Sequence, residues 1–126
     1  MYKILITDDE EKIRALIKKY AIFEGHTAVE AANGMEAVEL CRKEAFDIII
    51  MDIMMPELDG KEASRKIRSM ADQREDAAEI PILAMTAQAS TESIHQCKSA
   101  GMNECIFKPV NAKELIRLLQ DIVAKI

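Results

Sequence analysis

Residues 46–60 read Phe-Asp-Ile-Ile-Ile-Met-Asp-Ile-Met-Met-Pro-Glu-Leu-Asp-Gly, and their first half limits the fold more than any other stretch of the chain. Ile48, Ile49, Ile50 and Met51 follow one another with no polar residue between them, so a strand over Phe46–Met51 must be covered on both faces, as interior strands of parallel sheets are. Asp52 closes the run where the strand leaves the sheet. In open α/β sheets that carboxyl edge is where ligands bind. Pro56 and Gly60 then mark a loop and the entry to a helix.

The remaining chain supplies the layers such a strand needs. Lys3–Thr7 is an apolar strand ending in Asp8-Asp9. A helix follows over Glu10–Phe23, with Ile13, Leu16, Ile17 and Tyr20 at helical spacing and Gly25 suited to its end. His26–Ala31 reads as a weaker strand. Asn33-Gly34-Met35-Glu36 has the form of a capping box and opens a helix with Ala37, Val38 and Cys41 on its buried stripe. Asp59-Gly60-Lys61-Glu62 repeats that signature before a helix carrying Ala63, Ile67 and Met70, and a polar surface loop is expected over Ala71–Glu79. Ile80–Met85 is a fourth strand, with Pro81 near its start, where one missing ladder donor matters least. It ends in Thr86. Ser90–Ala100 is a helix closed by Gly101, Glu104–Phe107 a fifth strand ending in Lys108-Pro109, and Asn111-Ala112-Lys113-Glu114 a third capping box. Leu115, Leu118, Leu119, Ile122, Val123 and Ile126 form the most regular amphipathic stripe. Strict alternation of this kind is an α/β pattern, (βα)5, with right-handed crossovers, a parallel five-stranded sheet and helices on both faces.

Length and charge narrow the function. A chain of 126 residues fits one domain over 1–126 and buries roughly two thirds of its unfolded surface without staples. Cys41, Cys97 and Cys105 are an odd number with no C-x-x-C pair, which speaks against a disulfide frame or zinc site and fits a reducing cytoplasm. No basic, apolar leader is expected, nor a run approaching the roughly 20 residues that span a bilayer. The net charge of −5 is spread over the chain, which argues against direct, sequence-independent nucleic-acid binding.

Strands one, three, four and five end in Asp8-Asp9, Asp52, Thr86 and Lys108, and a parallel sheet places all four ends at one edge. An Asp-Asp pair after a strand is, alone, what many helix N-termini carry. The four features together, each at a strand's carboxyl end, are hard to obtain by chance. Three neighbouring carboxylates repel, and a divalent cation resolves the repulsion. Oxygen ligands without histidine or cysteine select Mg²⁺, with Mn²⁺ possible. Lys108 adds a positive charge and Thr86 a hydroxyl, the groups an incoming phosphoryl oxygen needs, and Asp52 is the natural nucleophile.

Asp8-Asp9, Met51-Asp52-Ile53-Met54-Met55-Pro56 with Asp59-Gly60, Met85-Thr86-Ala87 and Lys108-Pro109 together resemble the receiver domain of two-component response regulators, over essentially the whole chain. The resemblance implies a doubly wound, flavodoxin-like three-layer sandwich with strand order 2-1-3-4-5. It implies Asp52 as phospho-acceptor, supplied by a histidine kinase or histidine phosphotransfer domain. Asp9, Asp52 and the backbone carbonyl of Met54 would bind Mg²⁺ directly and Asp8 through water. Thr86 and Lys108 would grip the phosphoryl oxygens, and the Lys108-Pro109 bond would be cis. The family's switch pairs Thr86 with an aromatic residue that here is Cys105, so the switch is expected to rest on Thr86 and loop movement. Segments 82–87 and 99–103 resemble receivers fused to hybrid sensor kinases, and the downstream partner is not named by the sequence.

Two rivals stay open: a Mg²⁺-dependent phosphatase with an aspartyl nucleophile, and a receiver-like adaptor independent of phosphorylation. His26 and His95 are expected to have no metal role. Among the methionines, Met35, Met51, Met70 and Met85 fit core positions, and Met54 and Met55 are placed to shield the acceptor from water.

Overall fold

The computed structural model describes residues 2–55, 57–70, 79–87 and 90–125. Five strands and five helices alternate: β1 (Lys3–Thr7), α1 (Glu11–Phe23), β2 (Thr27–Ala31), α2 (Gly34–Lys43), β3 (Ile48–Asp52), α3 (Gly60–Ser69), β4 (Ile82–Thr86), α4 (Thr91–Ser99), β5 (Glu104–Phe107) and α5 (Ala112–Lys125). All strand pairs are parallel, and the order across the sheet is β2-β1-β3-β4-β5. The chain therefore winds outward from β1 in both directions. Crossovers diverge between β1 and β3, and such a switch point leaves a crevice at the carboxyl ends of those strands.

Side-chain alternation divides the core in two. Ile4, Ile6, Ile48, Ile50, Leu83, Met85 and Ile106 point to one face, where Ile17 and Ala21 of α1 and Leu115, Leu118, Leu119 and Ile122 of α5 cover them. Leu5, Ile49, Met51, Ile82 and Ala84 point to the other, against α2, α3 and Cys97 of α4. All five residues of β3 are buried, the outcome expected of a central strand. Among the described residues no helix is long and apolar enough to cross a membrane.

Local signals act where they were expected. The side chains of Asn33, Asp59 and Asn111 accept hydrogen bonds from the backbone N–H of Glu36, Glu62 and Glu114 at 2.8, 2.9 and 3.1 Å. Gly25 takes φ +85°, and the N–H groups of Gly25 and His26 donate to the carbonyls of Ile22 and Ala21, the paired bonds of a Schellman closure.

Several boundaries and burials differ from expectation. β3 begins at Ile48, because Asp47 instead turns its carboxylate to the N–H of Lys3 at 2.8 Å while Phe46 stays buried ahead of the strand. β4 begins at Ile82, and Pro81 contributes only its carbonyl, which accepts from Ile49 N–H. Leu16 is 39% exposed, because α1 meets the sheet through Ile17 and Ala21, one turn apart, and Leu16 lies off that line. Met35 is half exposed rather than in the core: α2 packs through Gly34, Ala37, Val38 and Cys41, and position 35 faces outward. Of the expected polar loop over 71–79, residues 71–78 lie outside the described residues, as does Ile126.

Candidate functional site

The crevice between β1 and β3 collects the acidic groups. Asp8 follows β1 directly and is fully buried, while Asp9 and Glu10 are exposed. Carboxylate oxygens of these three residues lie within 4.8 Å of one another. Two contacts hold the turn: the Asp8 carboxylate accepts from Glu10 N–H at 2.9 Å, and Arg14 donates to the Asp8 carbonyl at 2.8 Å and to Glu30 at 3.1 Å. Glu10 was not singled out in the sequence. Its adjacency to Asp8-Asp9 was the available signal.

Asp52 is the last residue of β3 and only 2% exposed. Gly60, the first residue of α3, sits directly behind it: a Cβ there would lie 2.2 Å from the Asp52 carbonyl oxygen. Glycine alone lets α3 start this close. Thr86, at the end of the neighbouring β4, is also buried, and its carbonyl accepts from Lys108 N–H at 2.9 Å.

Lys108 joins the strand ends. Its ammonium lies 3.1 Å from Asp8 Oδ2 and 3.2 Å from Asp52 Oδ1. The contact to Asp8 is an ion pair without the alignment of a full hydrogen bond. Burial works against the charged ammonium, but the adjoining carboxylates of Asp8 and Asp52 prevail and its pKa is raised. Burial, reinforced by the charge on Asp8, pushes the Asp52 carboxyl from about 3.8 up to about 6, against Lys108 and the Met54 backbone N–H, which favour the ionised form. The Lys108–Pro109 peptide bond is cis.

The structure thus brings Asp8, Asp52 and Lys108 together, puts Asp9 beside Asp8, and sets Thr86 at the next strand end. The group within 4.8 Å is Asp8, Asp9 and Glu10, and Asp52 is tied to it through Lys108. Met54 and Met55 part company. Met54 is 69% exposed at the rim, whereas Met55 is buried in the core on the α2–α3 side. His26 is structural: its Nδ1 accepts from Tyr2 N–H at 3.2 Å at the opposite end of the sheet. Cys105 is half-buried, and burial followed by the nearby Cys97 thiol pushes its pKa up to about 11, so it is a protonated, unreactive thiol.

The oxygen donors of Asp8, Asp9 and Glu10, with the Asp52 carboxyl tied to them through Lys108, fit a divalent cation such as Mg²⁺, whose charge would offset the Asp8 repulsion that adds to burial in raising Asp52. The cavity beside the site, lined by Ile53, Met54, Thr86 and Cys97 among others, holds only about 60 Å³.

Comparison with known proteins agrees with this geometry. A model of the response regulator receiver domain matches residues 4–120. The chain is 31% identical to the response regulator MprA of Mycobacterium ulcerans, over 98% of its own length and 50% of the relative's. It is also 31% identical to the virulence sensor protein BvgS of Bordetella pertussis, over 98% of its length and 10% of that protein's. The chain therefore spans half or less of these curated relatives. Among solved structures, the receiver domain of the sensor histidine kinase PA1611 from Pseudomonas aeruginosa, with a magnesium ion coordinated in its active site cleft, superposes with a TM-score of 0.86 at 32% identity, covering 98% of each chain.

Proposed function

The chain belongs to the response regulator receiver domains of two-component systems, and on that premise we propose that Asp52 is the residue that accepts the phosphoryl group. An oxygen of the Asp52 carboxylate attacks phosphorus, the bond to the donor histidine nitrogen breaks, and its electron pair returns to the imidazole. Asp9, Asp52 and the Met54 backbone carbonyl would hold Mg²⁺ directly, with Asp8 through water and Glu10 at the rim, and Mn²⁺ would fit the same donors. When bound, the cation screens the carboxylates and neutralises charge on the phosphoryl oxygens. Lys108 and Thr86 hold those oxygens in place by an ammonium charge and a hydroxyl hydrogen bond.

The observation that carries this reading is the Lys108 ammonium at 3.1 and 3.2 Å from Asp8 and Asp52, which brings together the ends of β1, β3 and β5 around one buried carboxylate. The donor is a histidine kinase or a histidine phosphotransfer domain in the cytoplasm, where the three cysteines stay reduced. Relatives of both the regulator and the kinase kind favour such a partner. Output runs through Thr86 and the face of α4, β5 and α5, without the aromatic ring that Cys105 replaces. A chain that acts only on its own phosphoryl group is favoured by the small cavity next to the acceptor's strand end, lined by Ile53, Met54 and Thr86 among others, whose volume of about 60 Å³ is far below the roughly 300–1,000 Å³ of sites that hold organic ligands.

Incubation with acetyl phosphate and Mg²⁺ should label the wild type with about one phosphoryl group per chain and leave Asp52→Asn unlabelled. Label retained in Asp52→Asn would sink the assignment, and sustained turnover of phosphate esters would favour the phosphatase reading.

A further inference from the structure

The small cavity beside Thr86 has one charged residue among those that line it, Lys61. The Lys61 ammonium donates to Gln96 Oε1 at 3.2 Å, bridging the start of α3 to α4. Lys61 occupies the first turn of α3, where the helix dipole disfavours a cation, so its charge works against the local rule there. It also follows Gly60, which packs against the backbone of Asp52 itself. α4 is loosely held: within the helix only Cys97 is buried. Beside the apolar packing of Cys97, its hydrogen bonds with α3 among the described residues are Lys61 to Gln96 at the side of the helix and Arg68 to the Gly101 carbonyl beyond its end.

We propose that Lys61 is a second phosphoryl-binding cation, which exchanges the Gln96 amide for a phosphoryl oxygen on Asp52 and thereby releases α4. This rests on Asp52 being the acceptor. A phosphoryl group adds a charge of about −1.5 to −2, and its oxygens offer an ammonium a charge–charge attraction that a neutral amide oxygen lacks. Lys108 is already shared between Asp8 and Asp52, whereas Lys61 has, among the described residues, a neutral acceptor to give up. The exchange supplies a route from the acceptor to α4 in a chain whose switch position holds Cys105 in place of a ring.

The test uses the whole chain as wild type, Lys61→Met and Gln96→Leu, with Mg²⁺ and beryllofluoride as the phosphoryl analogue, reading binding and amide hydrogen exchange over α4. Without the analogue, both variants should exchange α4 amides about threefold faster than wild type, the effect of losing one exposed hydrogen bond. With it, wild type should rise to the same level and Lys61→Met should not change further. Lys61→Met should bind the analogue about fivefold more weakly, and Gln96→Leu at least as tightly as wild type, because its lysine is already released. Equal binding by all three, or an α4 response in Lys61→Met matching wild type, overturns the latch while leaving the acceptor in place. Failure of the wild type to bind the analogue at Asp52 overturns both.

Discussion

Replacing Asp52 by asparagine should stabilise this protein at neutral pH, and by an amount that its surroundings set. The carboxyl is almost completely buried and titrates near 6 in the folded chain, against about 3.8 when exposed. Below pH 3.8 the group is protonated in both states, and the stability associated with the protonated form is fully present. Between 3.8 and 6 the unfolded chain releases the proton while the folded chain keeps it, so stability falls by about 1.4 kcal/mol per pH unit. Above 6 the loss is complete. Two pH units correspond to a cost on the order of 2–3 kcal/mol at pH 7.5, which Asp52→Asn escapes because an amide does not ionise. Urea denaturation in EDTA at pH 4, 5, 6 and 7.5 measures it. The variant should be more stable by that amount at pH 7.5, a rise of roughly 6–12 °C in Tm, and the gap should close toward pH 4. Millimolar Mg²⁺ should raise the wild-type midpoint and barely move that of the variant. A gap that is absent at pH 7.5, or constant with pH, would refute the account of Asp52 as a carboxylate ionised against burial and the charge on Asp8.

Three further outcomes follow from contacts around the site. Gly60→Ala places a Cβ 2.2 Å from the Asp52 carbonyl oxygen, and should cost at least about 3 kcal/mol in urea denaturation while lowering phosphoryl labelling. Unchanged labelling would mean α3 can retreat without moving the acceptor. Thr7→Val removes a buried hydroxyl that has no hydrogen-bond partner among the described residues and should raise stability by about 1 kcal/mol; a loss would reveal a partner. Arg68 donates to the Gly101 carbonyl at 3.1 and 2.7 Å and to Asn103 Oδ1 at 2.9 Å, so Arg68→Ala should cost about 2 kcal/mol and speed hydrogen exchange most in the α4–β5 connection. Uniform acceleration along the chain would argue against a local clamp.

What the sequence determined by itself is what depends on neighbours along the chain. The unbroken run from Ile48 to Met51 requires a strand covered on two faces, and the caps at Asn33, Asp59 and Asn111 close with the N–H groups three residues on. From strands that alternate with helices follow a parallel sheet and a single edge where Asp8, Asp9, Asp52, Thr86 and Lys108 must end. Tertiary packing decided the rest, because it depends on which atoms meet across elements. Met35 and Leu16 have the same apolar chemistry as their buried neighbours, and only the line along which each helix meets the sheet leaves them exposed. Met54 and Met55 are adjacent and identical, yet one is at the rim and the other in the core. That Lys108 lies between Asp8 and Asp52, that Glu10 joins the acidic group, and that Lys61 reaches Gln96 are facts of approach between distant segments. A pattern of residue types names the charges at an edge, but their separation and burial set what those charges do.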